Sequence, residues 1–316
     1  MISIVIPTYN RADILKECLE HLMVQKTVDG SGELHDQFEV IVVNDGSIDT
    51  TASVVQAFAS NDHQVSVRYL EKKNEGQGIA RNVGVREAKG DIIVFIGDDI
   101  LVEPDFVAKH LAFHLAHPEI SAGLLGFIEW DPRMPKTPLY TFMTNGSLIF
   151  GRYGGHQFAF EKLEGKTEAS YDFFYTSNIS LKKELLLKYP FDESFLKYGW
   201  EDIELGYRLM KDAKFHLFYD KSIVGYHFHL IDEEGLRKRM YAIGKAAVLF
   251  DRKYPELGKV PKLFKKCIFW LISIPPIIWI FDKGRGLFGG AWHYWYYYLL
   301  SKRFFLMGLQ DFPKSL

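Results

Sequence analysis

Asp91-Ile-Ile-Val-Phe-Ile-Gly-Asp-Asp99 is the stretch of sequence that decides the fold. Its first six residues are rich in β-branched and apolar side chains, which predicts a buried strand. The strand ends at two adjacent carboxylates, Asp98 and Asp99, which repel one another unless a cation lies beside them. A divalent cation that prefers oxygen ligands, Mg²⁺ or Mn²⁺, would meet that need. The alternative is that one aspartate caps the helix expected after Pro104.

Strands and helices alternate through the first hundred residues. Further apolar strands are predicted over residues 2–6, 38–43 and 65–70, each followed by a helical pattern. Pro7 is expected to end the first strand, and Asn10 to cap the helix that follows it. This order predicts an α/β fold with a mainly parallel central sheet flanked by helices.

The composition is that of a globular protein, with 47% hydrophobic and 25% charged residues among 316. Two cysteines, Cys18 and Cys267, cannot build a disulfide framework, which suits a reducing compartment. The first strand begins at Ile2, so we expect no signal peptide and a cytoplasmic location.

Three motifs follow predicted strands, Pro7-Thr-Tyr-Asn10, Asn44-Asp-Gly-Ser47 and Gly97-Asp-Asp99, and a fourth, Gly199-Trp-Glu-Asp202, opens a predicted helix. In this order they resemble family 2 of the inverting glycosyltransferases, which have the Rossmann-like GT-A fold. Cellulose, chitin and hyaluronan synthases and many single-domain bacterial enzymes typify that family. The resemblance covers about residues 1–230.

The resemblance implies a division of the chain into two parts. A GT-A catalytic domain is expected over residues 1–231, with a nucleotide-sugar half to about 117 and an acceptor half from about 118. Residues 232–316 are expected to form a helical, basic and aromatic C-terminal region.

The donor site that the resemblance implies consists of residues around the nucleotide: Pro7, Thr8, Tyr9, Asp45, Asn74, Arg81 and Asp98. Thr8 and Tyr9 would cradle the base, Asp45 would accept a hydrogen bond from it, and Asp98 would lie near the ribose. Asp45 has an alternative role in an Asx turn with Gly46. Arg81 has an alternative as a surface residue of its helix.

The metal site that the resemblance implies contains Asp99 and His227. The sequence departs from a strict Asp-x-Asp motif, because Gly97 replaces the first aspartate. His227 and His229 point to the same side of a strand, so either imidazole could serve. The alternative is that His227 is a core histidine.

Asp202 would be the general base that removes the proton of the acceptor hydroxyl. Trp200 and Glu201 would bind the acceptor, with the indole as a platform for a sugar ring. Direct displacement with one base inverts the anomeric configuration. The alternative is that Glu201 and Asp202 are first-turn carboxylates favoured by the helix dipole.

The C-terminal region carries an excess of positive charge, with 14 Lys and Arg against three acidic residues between Arg237 and Arg303. Two apolar, aromatic runs, 267–281 and 291–300, are each shorter than the ~20 residues of a spanning helix. Basic and aromatic segments of this kind are typical of membrane interfaces. The alternatives are a tail packed on the catalytic domain or a homodimer contact.

The sequence thus predicts a metal-dependent hexosyltransferase that moves a sugar from a nucleotide donor, UDP-linked, to a glycan or lipid-linked acceptor in surface polysaccharide assembly. It would lie peripherally on the inner face of the cell membrane, and nucleic acid is not expected among its partners. The alternative from another class is a catalytically inactive sugar-nucleotide-binding protein. A dinucleotide-dependent oxidoreductase is disfavoured because no Gly-x-Gly-x-x-Gly follows the first strand.

Overall fold

The computed structural model describes residues 1–32, 34, 37–60, 65–145, 158–195 and 199–312. Nine strands lie in this part of the chain: β1 (Ile2–Thr8), β2 (Phe38–Asn44), β3 (Ser66–Glu71), β4 (Ile92–Ile96), β5 (Ile100–Val102), β6 (Ala122–Trp130), β7 (Glu168–Ala169), β8 (Asn178–Lys182) and β9 (His216–His227). Eleven α-helices lie there too: α1 (Ala12–Met23), α2 (Thr51–Ser60), α3 (Gln77–Glu87), α4 (Phe106–Ala116), α5 (Pro138–Asn145), α6 (Lys183–Lys188), α7 (Glu201–Ala213), α8 (Glu233–Lys253), α9 (Leu263–Ile272), α10 (Pro275–Phe288) and α11 (Ala291–Gln310).

The strands form one sheet in the order β3-β2-β1-β4-β8-β6-β9-β5, with β7 paired to β9. β3, β2, β1 and β4 are parallel, as the alternation of strands and helices predicts. β8 joins antiparallel to β4 and β6, while β6 and β9 are parallel. The α/β fold with a central sheet flanked by helices is confirmed, and its second half has mixed pairing. The carboxyl ends of β1, β2 and β4 lie at one edge of the sheet.

Two local predictions at the end of β1 are wrong. Pro7 does not end the strand, because β4 pairs with β1 only as far as Val5 and leaves no ladder bond on that side for Pro7 to donate. Asn10 does not cap α1 either: it has a positive φ of 53°, and its side chain accepts the backbone N–H of Ile48. The N–H of Ala12 is instead accepted by Asp49.

The chain divides into two compact units whose boundaries differ from the expected ones. The first contains Met1–Met134, Leu163–Leu196 and Glu201–His229, and the second contains Pro135–Lys162, Lys197–Trp200 and Leu230–Leu316. Part of the expected acceptor half therefore groups with the C-terminal helices. The reason is packing within the second unit, where the ring of Phe142 lies 5.7 Å from that of Tyr297.

Helices α8 and α11 cross closely inside the second unit, at two glycines. A Cβ on Gly244 would lie 2.2 Å from the carbonyl oxygen of Phe305, and one on Gly308 would lie 2.1 Å from that of Tyr241. The aromatic face of α11 is largely internal, since Tyr296 and Tyr297 are buried. The expectation that the run 291–300 contacts a membrane is therefore wrong for these two tyrosines.

Helices α9 and α10 differ from α11 in their exposure. Large apolar side chains are exposed on both helices: Leu263, Phe264, Trp270, Leu271, Trp279, Leu287 and Phe288. Within the described ranges, no helix by itself has the length and hydropathy to cross a bilayer. Together the two helices reach that length and hydropathy, with a bend of 51° between them.

Candidate functional site

The ends of neighbouring strands bring the sequence motifs into direct contact. Thr8 ends β1, and its hydroxyl donates a 2.8 Å hydrogen bond to Asp98 Oδ2 beyond the end of β4. Asp45 follows β2, and its backbone N–H donates to the carbonyl oxygen of Thr8 at 2.9 Å. The loop expected to cradle the base is thus bonded to the acidic pair expected to face the ribose and the metal.

Asp98 and Asp99 are both buried, and a guanidinium lies against them. Arg11 Nη1 donates to Asp98 Oδ1 at 3.1 Å and also to Asp99 Oδ2. Arg11 Nη2 lies 2.6 Å from His229 Nδ1. The motifs did not indicate Arg11, although it directly follows the first of them. The signal that could have found it is the need of two adjacent buried carboxylates for a cation.

Strand β9 brings two imidazoles to Asp99. His227 Nε2 lies 3.2 Å and His229 Nδ1 3.1 Å from Asp99 Oδ2. Strands β5 and β9 pair antiparallel next to these side chains. The backbone N–H of Phe228 donates to the carbonyl oxygen of Asp99 at 2.9 Å. Both candidate histidine ligands, His227 and His229, therefore lie beside Asp99, the carboxylate predicted to bind the metal.

The donor atoms of Asp99, His227 and His229 lie within 4.8 Å of one another, close enough to share one ion. The residues present therefore fit a divalent metal. Two imidazoles and one carboxylate are a donor set for a transition-metal dication such as Mn²⁺ more than for Mg²⁺, which prefers oxygen ligands.

Trp130 extends this cluster by stacking. Its ring lies 4.9 Å from that of His227 with an interplanar angle of 13°, and His227 lies 5.5 Å from His229 at 17°. Trp130 ends β6 opposite His227 in the parallel pair with β9. The stack fixes the plane of the His227 ring, so Trp130 supports the orientation of its Nε2 toward Asp99. No sequence motif indicated Trp130, because only the strand register brings it there.

The two carboxyls of the acidic pair have opposite pKa shifts. Burial and the charge of Asp99 raise the pKa of Asp98 to about 6. Burial would also raise the pKa of Asp99, but His227 and Arg11 counter it, and that pKa lies well below its usual value. At neutral pH Asp99 is therefore ionised and can serve as a cation ligand.

Asp45 anchors the loop that leads into α3. Its Oδ1 accepts hydrogen bonds from Lys72 Nζ at 2.6 Å and from the backbone N–H of Glu75 at 3.0 Å. Its Oδ2 accepts the N–H of Gly76 at 2.8 Å. Lys72 is a second cation that the motifs did not indicate, and it balances the buried charge of Asp45.

The rest of this edge also differs from expectation in its details. The backbone N–H of Ser47, which an Asx turn of Asp45 would use, donates to Asn44 Oδ1 at 2.8 Å instead. Tyr9 and Asn74 are exposed at the surface, whereas Pro7 is buried within β1. Their roles in binding a donor stay predictions.

Arg81 is buried in α3, so the alternative of a surface helix residue is wrong. Its Nη1 lies 3.5 Å from Glu201 Oε1, and its Nη2 donates to Gln77 Oε1 at 3.3 Å. Its guanidinium also lies 5.5 Å from the centre of the Phe191 ring. Arg81 thus connects α3 to the first turn of α7, and its role in donor binding stays a prediction.

Two residues with positive φ, Gly199 (119°) and Trp200 (71°), turn the chain into α7. Glu201 is buried beside Arg81, and Asp202 is half-buried in the same first turn. Burial and the charge of Glu201 raise the pKa of Asp202 to about 7, against the opposing effect of Arg81. A carboxylate that titrates near neutral pH is suited to general base catalysis.

Trp200 is engaged with helix α8 in the second unit. Its indole N–H donates to the carbonyl oxygen of Ile243 at 3.2 Å, and its ring lies 5.0 Å from that of Phe250. The indole is half-buried, and its role as a sugar platform stays a prediction.

Comparison with known proteins gives one family. The family model described as Glycosyl transferase family 2 matches residues 3–163, about half of the chain. Validoxylamine A glucosyltransferase of Streptomyces hygroscopicus subsp. jinggangensis is 34% identical over 225 residues, which are 66% of this chain and 51% of that protein. Hyaluronan synthase of Pasteurella multocida is 30% identical over 246 residues, which are 72% of this chain and 24% of the synthase. The chain spans about half the length of its validoxylamine-type relatives.

Solved structures share the fold at low sequence identity. Mannosyltransferase PcManGT from Pyrobaculum calidifontis, in complex with GDP-Man and Mn²⁺, matches with a TM-score of 0.62 at 18% identity. The match covers 98% of this chain and 87% of that one. TarS of S. aureus in complex with UDP-GlcNAc matches with a TM-score of 0.52 at 15% identity, over 98% and 90% of the two chains.

Proposed function

Because the chain belongs to glycosyl transferase family 2, we propose that it is an inverting hexosyltransferase that uses a UDP-linked sugar. The acceptor would be a hydroxyl of a glycan or lipid-linked glycan in surface polysaccharide assembly. The observation that carries the proposal is the buried acidic pair Asp98–Asp99, bonded to Thr8 on one side and facing two imidazoles on the other.

Each group at this edge has a role in the proposed donor complex. Thr8, Tyr9 and Asp45 would hold the base, and Asp98 would hold the ribose. Asp99, His227 and His229 would hold a divalent cation, with Mn²⁺ favoured over Mg²⁺ by the two imidazoles. When bound, that ion would neutralise charge on the departing diphosphate.

Asp202 would accept the proton of the acceptor hydroxyl as the oxygen attacks the anomeric carbon. Its pKa of about 7 supports this role, because a base is most effective when its pKa lies near the working pH. A single displacement of this kind forms the new glycosidic bond as the bond to the diphosphate breaks, which inverts the configuration.

The test is release of nucleoside diphosphate from a panel of nucleotide sugars, with UDP binding followed by calorimetry. Asp202→Asn is expected to leave UDP binding nearly intact and to lower kcat by roughly 10²–10⁴. Asp99→Ala is expected to abolish the dependence of UDP binding on Mn²⁺. The inactive-binder alternative predicts UDP binding with no turnover of any donor, and wild-type turnover by Asp202→Asn would remove Asp202 as the base.

The location proposed for the enzyme is the inner face of the cell membrane, held by α9 and α10. The apolar side chains exposed on these helices lie beside exposed basic residues, which include Lys262, Lys265 and Lys283. Each basic residue near an anionic surface contributes on the order of 1 kcal/mol, which salt screens, whereas insertion of apolar side chains is not screened. An anionic lipid surface therefore matches both the charge and the apolar area.

Sedimentation with vesicles tests this location. The full chain is expected to sediment with vesicles that contain phosphatidylglycerol and to be only partly released by high salt. The double variant Trp270→Ala/Trp279→Ala is expected to stay largely in the supernatant, whereas Leu115→Ala, an exposed leucine in the first unit, is the matched control. A wild-type chain that ignores the vesicles but gains mass with concentration would support a homodimer contact instead.

A further inference from the structure

Arg11 contacts the same atoms that a metal ion would use. Its guanidinium bonds to Asp99 Oδ2 and lies 2.6 Å from His229 Nδ1, two of the three candidate ligand atoms. It also bonds to Asp98 Oδ1 at 3.1 Å. A protonated guanidinium therefore fills the electrostatic position of a cation in this cluster.

The contact with Arg11 favours one tautomer of the His229 ring. A guanidinium has donors only, so its 2.6 Å contact with His229 Nδ1 uses the lone pair of that nitrogen, whereas a hydrogen bond from Nδ1 to Asp99 Oδ2 at 3.1 Å would need a hydrogen there. The shorter contact favours the tautomer whose hydrogen is on the other ring nitrogen. The lone pair of an imidazole nitrogen is also what binds a metal. His229 Nδ1 cannot serve both partners at once, so the guanidinium and the ion exclude one another at this atom.

The exposed fractions of the side chains indicate that the guanidinium of Arg11, rather than the carboxylates, is able to move. The side chain of Arg11 is 33% exposed, whereas those of Asp98 and Asp99 are 8% and 10% exposed. The two carboxylates are buried where the strands end, whereas Arg11 is the residue that precedes α1 and extends its side chain to them. Displacement of the guanidinium toward solvent therefore leaves the other groups in place.

We propose that Arg11 is an internal counter-cation that occupies the metal site in the metal-free protein and is displaced when a divalent ion binds. Displacement leaves a guanidinium beside a dication, and the two repel one another unless an anion lies between them. The diphosphate of a donor is such an anion, so donor and metal binding would reinforce one another through Arg11. This last step rests on the proposed function, whereas the competition between Arg11 and the metal does not.

The experiment measures Mn²⁺ affinity without nucleotide, by the paramagnetic resonance signal of the free ion. Arg11→Ala is expected to bind Mn²⁺ about tenfold more tightly than the wild type, a typical size for coupling between two ligands. Arg11→Lys is expected to lie between them, because a single ammonium cannot span the three acceptors. Arg68→Ala is the matched control, since Arg68 also bridges two carboxylates, Glu39 and Glu87, and should leave Mn²⁺ affinity unchanged.

Thermal unfolding without metal gives a second readout. Arg11→Ala is expected to have a lower Tm than the wild type and to gain more from Mn²⁺, because the ion replaces the missing charge. Equal or weaker Mn²⁺ binding by Arg11→Ala would overturn the proposal and make Arg11 a support for the metal. Tighter Mn²⁺ binding with no UDP binding by any variant would uphold the competition while the proposed function fails.

Discussion

Substitution of Glu201 by glutamine should move the pH dependence of catalysis. In its proposed role as the base, Asp202 would act only when it is ionised, so with a pKa of about 7 the activity is expected to fall as the pH falls through 7. The charge of Glu201 disfavours ionisation of Asp202, and Glu201→Gln removes that charge. Its amide oxygen can still accept the hydrogen bond from Gln77. The acidic limb of the profile is therefore expected to move to lower pH.

The magnitude follows from the neighbours of Glu201. Nearby charges shift a carboxyl pKa by roughly 1–3 units. Arg81 lies 3.5 Å from Glu201 and already offsets part of its charge, so the lower end of that range applies. We expect the acidic limb to move down by about 1 pH unit. Arg81→Gln should move it in the opposite direction, because Arg81 lowers the pKa of Asp202.

The assay is the pH profile of kcat at saturating donor and acceptor, so that weaker binding of either substrate by a variant does not affect the measured profile. Glu204→Gln is the matched control, since Glu204 is also buried in α7 but its carboxylate pairs with Arg208 at 3.0 Å. Its profile should keep the wild-type limb. A Glu201→Gln profile that coincides with the wild type would refute the reasoning that Glu201 sets the pKa of Asp202.

Two further predictions concern the proposed metal site and the packing of α3. Trp130→Leu should weaken Mn²⁺ binding, measured by calorimetry, by roughly tenfold, because the ring of His227 loses its stacked neighbour. Trp130→Phe should recover most of the affinity. Equal affinities in the wild type and both variants would contradict the proposal that Trp130 orients His227. Gly84→Ala should lower the free energy of unfolding by about 1–3 kcal/mol in urea, because its Cβ would lie 2.3 Å from Val5 Cγ1. The control Gly286→Ala has open space around its Cβ and should gain up to about 1 kcal/mol, so equal effects at the two glycines would contradict the packing argument.

The first half of the sheet could be predicted from the sequence because its strands are buried on both faces. β1, β2 and β4 are short apolar runs that end at polar residues, and the parallel order follows from the helices between them. The same logic placed Asp45, Asp98 and Asp99 at one edge. β5 has three residues and escaped prediction, since it forms only by pairing with β9.

The partners of the carboxylates could not be predicted, for a different reason. Arg11 and Asp99 are 88 residues apart, and Arg11 and His229 are 218 residues apart. Such contacts depend on strand order and register, which leave no local pattern in the sequence. The burial of Tyr296 and Tyr297 in α11 could not be predicted for a related reason, since a tyrosine that packs on a neighbouring helix and one that meets a membrane have the same local pattern.

The pairing of β9 with β5 also sets when the site can form during folding. The backbone N–H of Phe228 donates to the carbonyl oxygen of Asp99, and β6 and β8 lie between these two residues in the sequence. The same pairing brings His227 and His229, the neighbours of Phe228, to Asp99. Contacts so distant in the chain close late, because loop-closure entropy must be overcome first. During synthesis the ligand cluster is incomplete until His229 has left the ribosome. In refolding, uptake of a divalent ion should therefore lag behind the recovery of helical circular dichroism and report the last step of assembly.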